Sequence, residues 1–350
     1  MKYRKEIDGL RSLAIIPVIL FHAGIGGFSG GYVGVDVFFV ISGYLITAIL
    51  ADELGRGTYS IASFYERRAR RILPALFVML AVTLPFAYAL LNPADLVYFA
   101  KSLLGSVLFL ANITSYLQSG YFDAASDVKP LMHLWSLAIE EQYYVVFPVL
   151  LAAIWRLLRV FLAILCFSLV SLAFAEFKLD KDASSAFFYL HSRAWELGVG
   201  ALLALAMTAQ IKSHFKFEFP LLLRQALAAV GLALIVFAIV GFDTGTRFPG
   251  VSALVPTVGA ALVIAFGTQH TLVGKLLGTR YLVGVGLVSY SAYLWHQPIF
   301  AFARYQSPNH LPASVLFALI LSTFAVAYLS WRFVEAPFRQ KGRVSRKTIA

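Results

Sequence analysis

The chain has 350 residues, of which 60% are hydrophobic and 13% charged, with a formal net charge of +11. A soluble domain is typically about 45–50% apolar and about 25% charged, so this composition excludes an ordinary globular protein. Inside a bilayer only helices and closed barrels satisfy their backbone hydrogen bonds, and uninterrupted apolar runs of about 20 residues indicate helices. The sequence therefore predicts an all-α polytopic membrane protein embedded in a lipid bilayer.

The excess of basic residues is better explained by membrane topology than by nucleic-acid binding, because Lys and Arg gather in cytoplasmic loops. The one cysteine, Cys166, excludes an internal disulfide and a cysteine-based metal site. The sequence contains no HExxH spacing and no GxxxxGK[ST] phosphate loop. We therefore expect no bound metal and no nucleic-acid partner.

The apolar segments begin near the N-terminus, where basic residues precede a short apolar stretch as in a signal peptide. A second full-length apolar segment follows at once, so we predict that the first is a retained membrane helix. Eleven candidate crossings occur in the chain. In order they are Leu13–Ala23, Gly34–Leu50, Ile72–Leu91, Leu103–Leu117, His133–Ile154, Phe161–Phe174, Trp195–Met207, Ala226–Phe242, Leu254–Phe266, Val283–Phe302 and Ala313–Trp331.

The distribution of basic residues predicts the orientation of these segments. The N-terminus, the arginines at 67–71 and the C-terminal tail should all be cytoplasmic. The two apolar segments between Ile72 and Leu117 would return the chain to the cytoplasmic side when crossings are counted from the N-terminus. Counting back from the C-terminus instead places the following loop outside. An odd number of crossings between Ile72 and Leu117 removes this conflict. We therefore predict about ten transmembrane helices and one additional re-entrant or interfacial helix. Eleven spans with an external C-terminus is the alternative.

Ionisable residues in or beside membrane helices are costly and are functional candidates by default. Arg11 and His22 bracket the first segment, and eleven helical residues separate them by about 16 Å. Histidine is the natural general base near neutral pH, although a helix-end histidine can also simply reach the interface. Asp36 lies near the start of the second segment, on the same side of the membrane as His22. Its carboxylate could orient the imidazole of His22, or it could simply be stabilised by the dipole at the helix N-terminus. Ser42 and Gly43 are interpreted as packing residues.

The fifth segment carries a polar stripe. His133, Ser136 and Glu140 stand at i, i+3 and i+7, so they share one helical face, which Tyr144 continues. Such a stripe normally faces the interior of a helix bundle or a wet cavity. Glu196 and His296 belong to two later segments and are predicted to lie on the same outer side.

A dense cationic group precedes the third segment, with four arginines in five positions: Arg67, Arg68, Arg70 and Arg71. Arginine is the preferred residue for binding phosphate groups. The same residues could also be an ordinary cytoplasmic anchor.

Taken together, these motifs make the chain resemble the acyltransferase-3 family of membrane acyltransferases, which includes bacterial O-antigen and exopolysaccharide O-acetyltransferases. The resemblance covers about residues 5–340. In order, the motifs are Ile7-Asp-Gly-Leu-Arg-Ser12 with the Arg-x10-His spacing to His22, Gly34-Val-Asp-Val-Phe-Phe-Val-Ile-Ser-Gly43, Phe64-Tyr-Glu-Arg-Arg-Ala-Arg-Arg-Ile-Leu-Pro74, His133-Leu-Trp-Ser-Leu-Ala-Ile-Glu-Glu-Gln-Tyr-Tyr144, Ser289-Tyr-Ser-Ala-Tyr-Leu-Trp-His-Gln-Pro298 and Glu335-Ala-Pro-Phe-Arg339.

The resemblance implies a multi-pass protein of the bacterial inner membrane with a cytoplasmic N-terminus. It implies acetyl-CoA as cytoplasmic acyl donor and a hydroxyl of an extracytoplasmic carbohydrate, such as lipopolysaccharide O-antigen, as acceptor. We expect one acyltransferase-3 transmembrane domain over residues 1–340 and a short basic cytoplasmic tail over 341–350. An appended hydrolase-like domain, which some relatives carry, is not expected in these 350 residues.

The resulting hypothesis assigns roles to the polar residues. We predict that the catalytic residues are His22, Asp36 and Glu140. His22 would deprotonate the acceptor hydroxyl or briefly carry the acyl group, and Asp36 or Glu140 would orient its imidazole. The donor phosphates are assigned to Arg11, Arg67, Arg68, Arg70 and Arg71. The acceptor is assigned to His133, Ser136, Glu196 and His296. A proton-coupled transporter is the alternative function, because intramembrane Glu and His residues also form proton relays.

Overall fold

The computed structural model describes residues 3–119, 126–155, 159–212, 219–307 and 311–339. No β-strand occurs in these ranges, so the predicted all-α class is confirmed. A π-helical turn covers Trp331–Glu335. The α-helices are α1 Lys5–His22, α2 Gly34–Arg56, α3 Ile61–Leu90, α4 Pro93–Val107, α5 Ala111–Leu117, α6 Leu134–Ile154, α7 Val160–Leu179, α8 Ala183–Phe188, α9 Leu190–Lys212, α10 Leu221–Gly241, α11 Leu254–Phe266, α12 Leu272–Leu277, α13 Arg280–Gln306, α14 Ala313–Ser330 and α15 Ala336–Arg339.

Local sequence signals determine several of these boundaries. The side chain of Ser60 accepts a hydrogen bond from the backbone of Ser63 and caps α3. Asn92 does the same for α4, and Pro93 occupies the first helical position, where its missing N–H costs nothing. Helix α2 ends at Gly57, whose φ of 70° is readily adopted only by a residue without a Cβ. These helices therefore begin where a side chain accepts a hydrogen bond from a free backbone N–H, and α2 ends where glycine allows the backbone to turn.

Six helices of the described residues are long and apolar enough to cross a membrane. The predicted count of about ten spans is not confirmed. The predicted crossing at Leu254–Phe266 forms α11, whose 13 residues are fewer than the roughly 20 that a span requires. The six candidate spans are Gly31–Arg56, Ile61–Leu90, Leu134–Ile154, Val160–Leu179, Leu221–Gly241 and Ala313–Arg339.

Three further helices reach the length of a span but not its composition. Helices α1, α9 and α13 have 18, 23 and 27 residues, but none of them contains an 18-residue stretch that is both strongly apolar and nearly free of charged residues. These three helices contain His22, Glu196 and His296. Residues assigned to function therefore occur in these three helices and also in two of the six apolar spans, which contain Asp36 and Glu140.

The predicted crossing Leu103–Leu117 is not a single helix. The chain breaks at Leu108–Leu110, where Phe109 has a φ of 55°, an uncommon conformation for a residue other than glycine. The two parts, α4 and α5, have 15 and 7 residues, and both are too short to cross a bilayer. This break agrees with the prediction that the region contains a segment that does not span.

The apolar helices expose much of their surface. Only 17% of the most apolar window of Ala313–Arg339 is buried, and Phe317, Leu321 and Leu329 are exposed. A protein in water rarely exposes an apolar surface of this extent. The exposed faces therefore indicate that lipid surrounds these helices, as a multi-pass membrane protein requires.

The chain forms two compact units. The first contains residues 1–59 and 139–287, and the second contains residues 60–138 and 288–350. The single domain expected over residues 1–340 stays a prediction, and the tail expected at 341–350 lies outside the described residues.

Close helix packing organises the first unit. Helix α2 lies along α9, α7 lies on the same helix, and α1 packs on α2 and α12. A Cβ atom at Gly43 would overlap the backbone carbonyl of Leu197, so only glycine permits α2 and α9 to approach this closely. The interpretation of Gly43 as a packing residue is confirmed.

The second unit is organised around α3. The π-helical turn, α15 and α4 all pack on α3. The hydroxyl of Tyr290 in α13 donates a hydrogen bond to the carbonyl of Ile72, one residue after the arginine group.

Replacing Gly43 with alanine should destabilise the protein by about 1–3 kcal/mol, because the added methyl forces α2 and α9 apart. Gly284→Ala is the matched control, since a Cβ there meets nothing within 4 Å. Thermal unfolding of both variants in detergent measures the difference. Equal melting temperatures would contradict the packing role of Gly43.

Candidate active site

Arg11 lies in the first unit as a buried member of a charged group at the start of α1. Its guanidinium is 3.5 Å from the carboxylate of Asp8, one helical turn earlier. Asp8 also accepts a hydrogen bond of 2.6 Å from the hydroxyl of Tyr3, and this bond raises the pKa of Tyr3 to about 12. The group holds a buried positive charge at this end of the helix.

His22 is the last residue of α1 and is half-buried. The ring of Phe21 lies edge-on to its imidazole with the centroids 5.2 Å apart. Gly34 allows α2 to pack closely on α1, since a Cβ there would overlap the carbonyl of Ala14. Helix α1 thus carries Arg11 in its first half and His22 as its last residue.

Asp36 belongs to a fully buried ionic cluster in the first unit. An oxygen of Asp36 is 3.1 Å from the guanidinium of Arg193, and an oxygen of Glu196 is also 3.1 Å from it. The three residues have 0%, 1% and 0% exposure respectively. We name them the α2–α9 ionic cluster. One guanidinium balances the charge of one carboxylate, so the cluster is neutral when one of its two carboxyl groups is protonated.

Aromatic rings surround the guanidinium of this cluster. The rings of Phe39, Phe187 and Phe248 have their centroids 5.4, 5.6 and 5.3 Å from the central carbon of Arg193. Rings at this distance attract a cation through their negative faces, and they exclude water. Arg193 is therefore held both by carboxylates and by aromatic rings.

Glu140 lies on α6 and is bound through both carboxylate oxygens. Ser42 of α2 donates a hydrogen bond of 3.1 Å to one oxygen, and Tyr144 donates one of 3.1 Å to the other. Tyr144 lies one turn further along α6, as the polar stripe predicted. The interpretation of Ser42 as a packing residue was wrong, because its hydroxyl orients Glu140.

The arginine group lies in the first part of α3, in the second unit. Arg70 is buried and bonds through two nitrogens to the carboxylate of Glu66, each at 3.0 Å. Arg71 is half-buried and has no ion-pair partner within the part of the chain that the structure describes. The four arginines therefore differ: Arg70 is held by a carboxylate, whereas Arg71 is available to an anion.

A buried histidine pair forms in the second unit. The rings of His133 and His296 are 5.1 Å apart, and both residues are buried. The hydroxyl of Tyr293 donates a 2.7 Å hydrogen bond to the carbonyl of His133 and lies 2.6 Å from the hydroxyl of Ser136. Nδ1 of His296 donates to the carbonyl of Tyr293 at 2.6 Å. Tyr293 thus connects three residues that were assigned to the acceptor.

The structure changes one predicted partnership and adds residues that the sequence argument had not assigned. Asp36 was expected to orient a histidine, but it is paired with Arg193. The i, i+3 spacing of Arg193 and Glu196 and the i, i+3 spacing of Tyr293 and His296 were the signals that could have identified these partners.

Comparison with known proteins decides the family. The sequence model of the acyltransferase domain matches residues 4–332. The chain belongs to the acyltransferase-3 family. The arginine, histidine and carboxylate motifs described above lie within the matched range or at its end.

Relatives of this acyltransferase-3 chain carry consistent names. A protein named O-acetyltransferase OatA from Staphylococcus aureus (strain NCTC 8325 / PS 47) is 30% identical over 97% of the chain. A second S. aureus protein (strain MSSA476), also named an O-acetyltransferase, is 31% identical over 98%. The chain spans 58% of the length of each. No solved structure shows a significant match, and nothing in these comparisons supports the transporter alternative.

Within the described ranges, no group of three or more His, Cys, Asp or Glu residues could hold a metal ion.

Replacing Arg193 with methionine should destabilise the protein by about 3–5 kcal/mol, because Asp36 and Glu196 would be left buried without a counter-charge. Arg247→Met is the matched control. Arg247 also bonds two carboxylates, Glu176 and Asp180, but its side chain is 59% exposed, so its removal should have only a small effect. Chemical denaturation in detergent provides the comparison. A similar decrease in the free energy of unfolding for the two variants would show that the α2–α9 ionic cluster does not stabilise the protein more than an exposed ion pair does.

Proposed function

We propose that this chain is a membrane O-acyltransferase that moves an acetyl group from cytoplasmic acetyl-CoA to a hydroxyl of an extracytoplasmic carbohydrate, such as a surface polysaccharide of the O-antigen type. Membership of the acyltransferase-3 family and the names of the relatives support acyl transfer. The bacterial inner membrane is the location that fits a donor inside and an acceptor outside.

One observation carries the proposal: α1 has a buried arginine in its first half and a half-buried histidine as its last residue. The eleven residues between them extend about 16 Å, about half of the roughly 30 Å hydrocarbon core. A donor with phosphates at one end and a thioester at the other matches this separation of charge and base. Arg11 would contact the phosphates, and His22 would meet the thioester.

The chemistry requires one base. In the general-base route, His22 takes the proton of the acceptor hydroxyl, the hydroxyl oxygen bonds to the thioester carbonyl carbon, and the carbon–sulfur bond breaks to release the thiolate of coenzyme A. In the covalent route, the imidazole first takes the acetyl group as the thiolate of coenzyme A leaves, and the hydroxyl oxygen then bonds to the acetyl carbon while the released imidazole takes the hydroxyl proton. Acid quenching distinguishes them, because only the covalent route leaves acetyl label on the protein.

The remaining assignments follow from the contacts. Glu140, held by Ser42 and Tyr144, is a fixed carboxylate that can stabilise a positive charge on an imidazole. Asp36 and Glu196 support the site through Arg193. His133, Ser136 and His296, connected by Tyr293, are assigned to the acceptor hydroxyls.

Replacing His22 with alanine should lower acetyl transfer by at least about a hundredfold, which is the usual contribution of a positioned base. His270→Ala is the matched control, because His270 is an exposed histidine in a loop. Transfer from radiolabelled acetyl-CoA to a polysaccharide acceptor measures both variants. If the His22 variant is folded and retains substantial activity, the assigned mechanism is wrong.

Replacing Arg71 with glutamine should weaken acetyl-CoA binding about tenfold, because one charge-assisted hydrogen bond to phosphate contributes about 1.5–3 kcal/mol. Arg280→Gln is the control, since Arg280 is exposed and its hydroxyl partner is the neighbouring Tyr281. Calorimetric titration of purified protein with acetyl-CoA gives the two affinities. An unchanged affinity in the Arg71 variant would remove this residue from the donor site.

A further inference from the structure

An apolar groove of about 450 Å³ opens on the surface of the first unit, between α6, α7 and α9. We name it the lateral groove. Its walls include Phe147, Leu150 and Phe167, and the last two are more than half exposed. The groove is therefore open along one side, and its opening faces the lipid that surrounds these apolar helices.

The length of the lateral groove matches one half of a bilayer. Its lining on α6 runs from Tyr143 to Ile154. At 1.5 Å per residue this stretch extends about 16 Å, and half of the hydrocarbon core is about 15 Å thick. An elongated apolar groove of this length fits a single extended alkyl chain of one leaflet.

Small residues form the floor of the groove. Ala163 of α7 and Ala194 and Gly198 of α9 lie along it. At Gly198 the two helices meet so closely that a Cβ would overlap the hydroxyl of Ser168. Because Ala163, Ala194 and Gly198 contribute little side-chain volume, space beside α6 remains unfilled.

One end of the groove is polar and basic. His191, in the first turn of α9, lines the groove and stacks on Tyr189, and its ring lies 4.8 Å from that of Phe174. The ammonium of Lys178 is 5.6 Å from the centre of the same Phe174 ring. Burial and the charge of Lys178 lower the pKa of His191. Lys178 is therefore the cationic group at this end, and the neutral imidazole of His191 can still donate a hydrogen bond to an anion.

The nearby carboxylates do not neutralise this basic end. Glu176 and Asp180 both accept hydrogen bonds from Arg247, at 3.2 and 2.7 Å. Lys181 instead lies 4.1 Å from the centre of the Phe177 ring. Arg247 thus engages both carboxylates, and Lys178 has no carboxylate partner among the residues that the structure describes.

We propose that the lateral groove binds one acyl chain of an anionic membrane phospholipid, with the lipid phosphate at His191 and Lys178. The apolar wall, the leaflet-long shape and the basic end together match a long chain joined to an anionic head group. This lipid site is separate from α1 and does not rest on the proposed acetyl transfer.

Photolabelling of the full chain in lipid nanodiscs tests the proposal. The probe is phosphatidylglycerol with a diazirine in one acyl chain, and phosphatidylcholine with the same chain is its neutral counterpart. Mass spectrometry gives the adducts on α6 and α7 relative to those on α14, which faces lipid without a groove. We expect enrichment on α6 and α7 with phosphatidylglycerol and less with phosphatidylcholine. Equal enrichment with both probes would overturn the anionic assignment, and no enrichment would overturn the site.

Two variants test the groove and its basic end. Ala163→Trp fills the groove and should remove the enrichment, whereas Ala173→Trp, at an exposed alanine of α7 outside the groove, should not. Lys178→Gln should weaken phosphatidylglycerol labelling about fivefold, as expected for one basic residue at a membrane surface. Lys275→Gln, at an exposed lysine elsewhere, is its control. Because Lys178 lies at a helix end, this variant tests the proposal even if the tryptophan variant does not fold. Unchanged labelling in both test variants would contradict the proposal.

Discussion

A charge inside a membrane helix must have a partner, and this constraint shapes the first unit. Lipid offers no water to a buried carboxylate or guanidinium, so each such group is paired or held by polar neighbours. Arg193 connects Asp36 of α2 to Glu196 of α9, across the contact between these two helices. Arg11 and Asp8 satisfy each other on α1 in the same way. The positions of the polar helices follow from these pairings.

The pairings explain why the polar helices differ from the apolar ones. Helices such as α14 are apolar on their exposed faces, so contact with lipid is sufficient to cover them. Helices α1, α9 and α13 carry ionisable residues that would be costly in lipid, and the first unit shows how α1 and α9 bury them against partners. Function and packing therefore place demands on the same residues. A substitution in the α2–α9 ionic cluster is expected to change both, which is why exposed control residues matter in every comparison.

Local features could be predicted from the sequence, and distant pairings could not. Composition gave the all-α membrane class, and the i, i+4 spacing of Glu140 and Tyr144 gave a contact that the structure contains. The partner of Asp36 lies 157 residues away, and periodicity carries no information on such a distance. The count of spans was also out of reach, because the polar residues of α1, α9 and α13 make their hydropathy ambiguous. The contrast between Arg70 and Arg71 required the positions of side chains.

The central claim is transfer from a donor on one side of the membrane to an acceptor on the other. Sealed proteoliposomes with an accessible N-terminal tag define the orientation, and radiolabelled acetyl-CoA is supplied on one face with a glycan acceptor on the other. The account predicts acetylated glycan only when acetyl-CoA is on the face of the N-terminus, with the product lost in His22→Ala. Acetylation that requires donor and acceptor on the same face would contradict it.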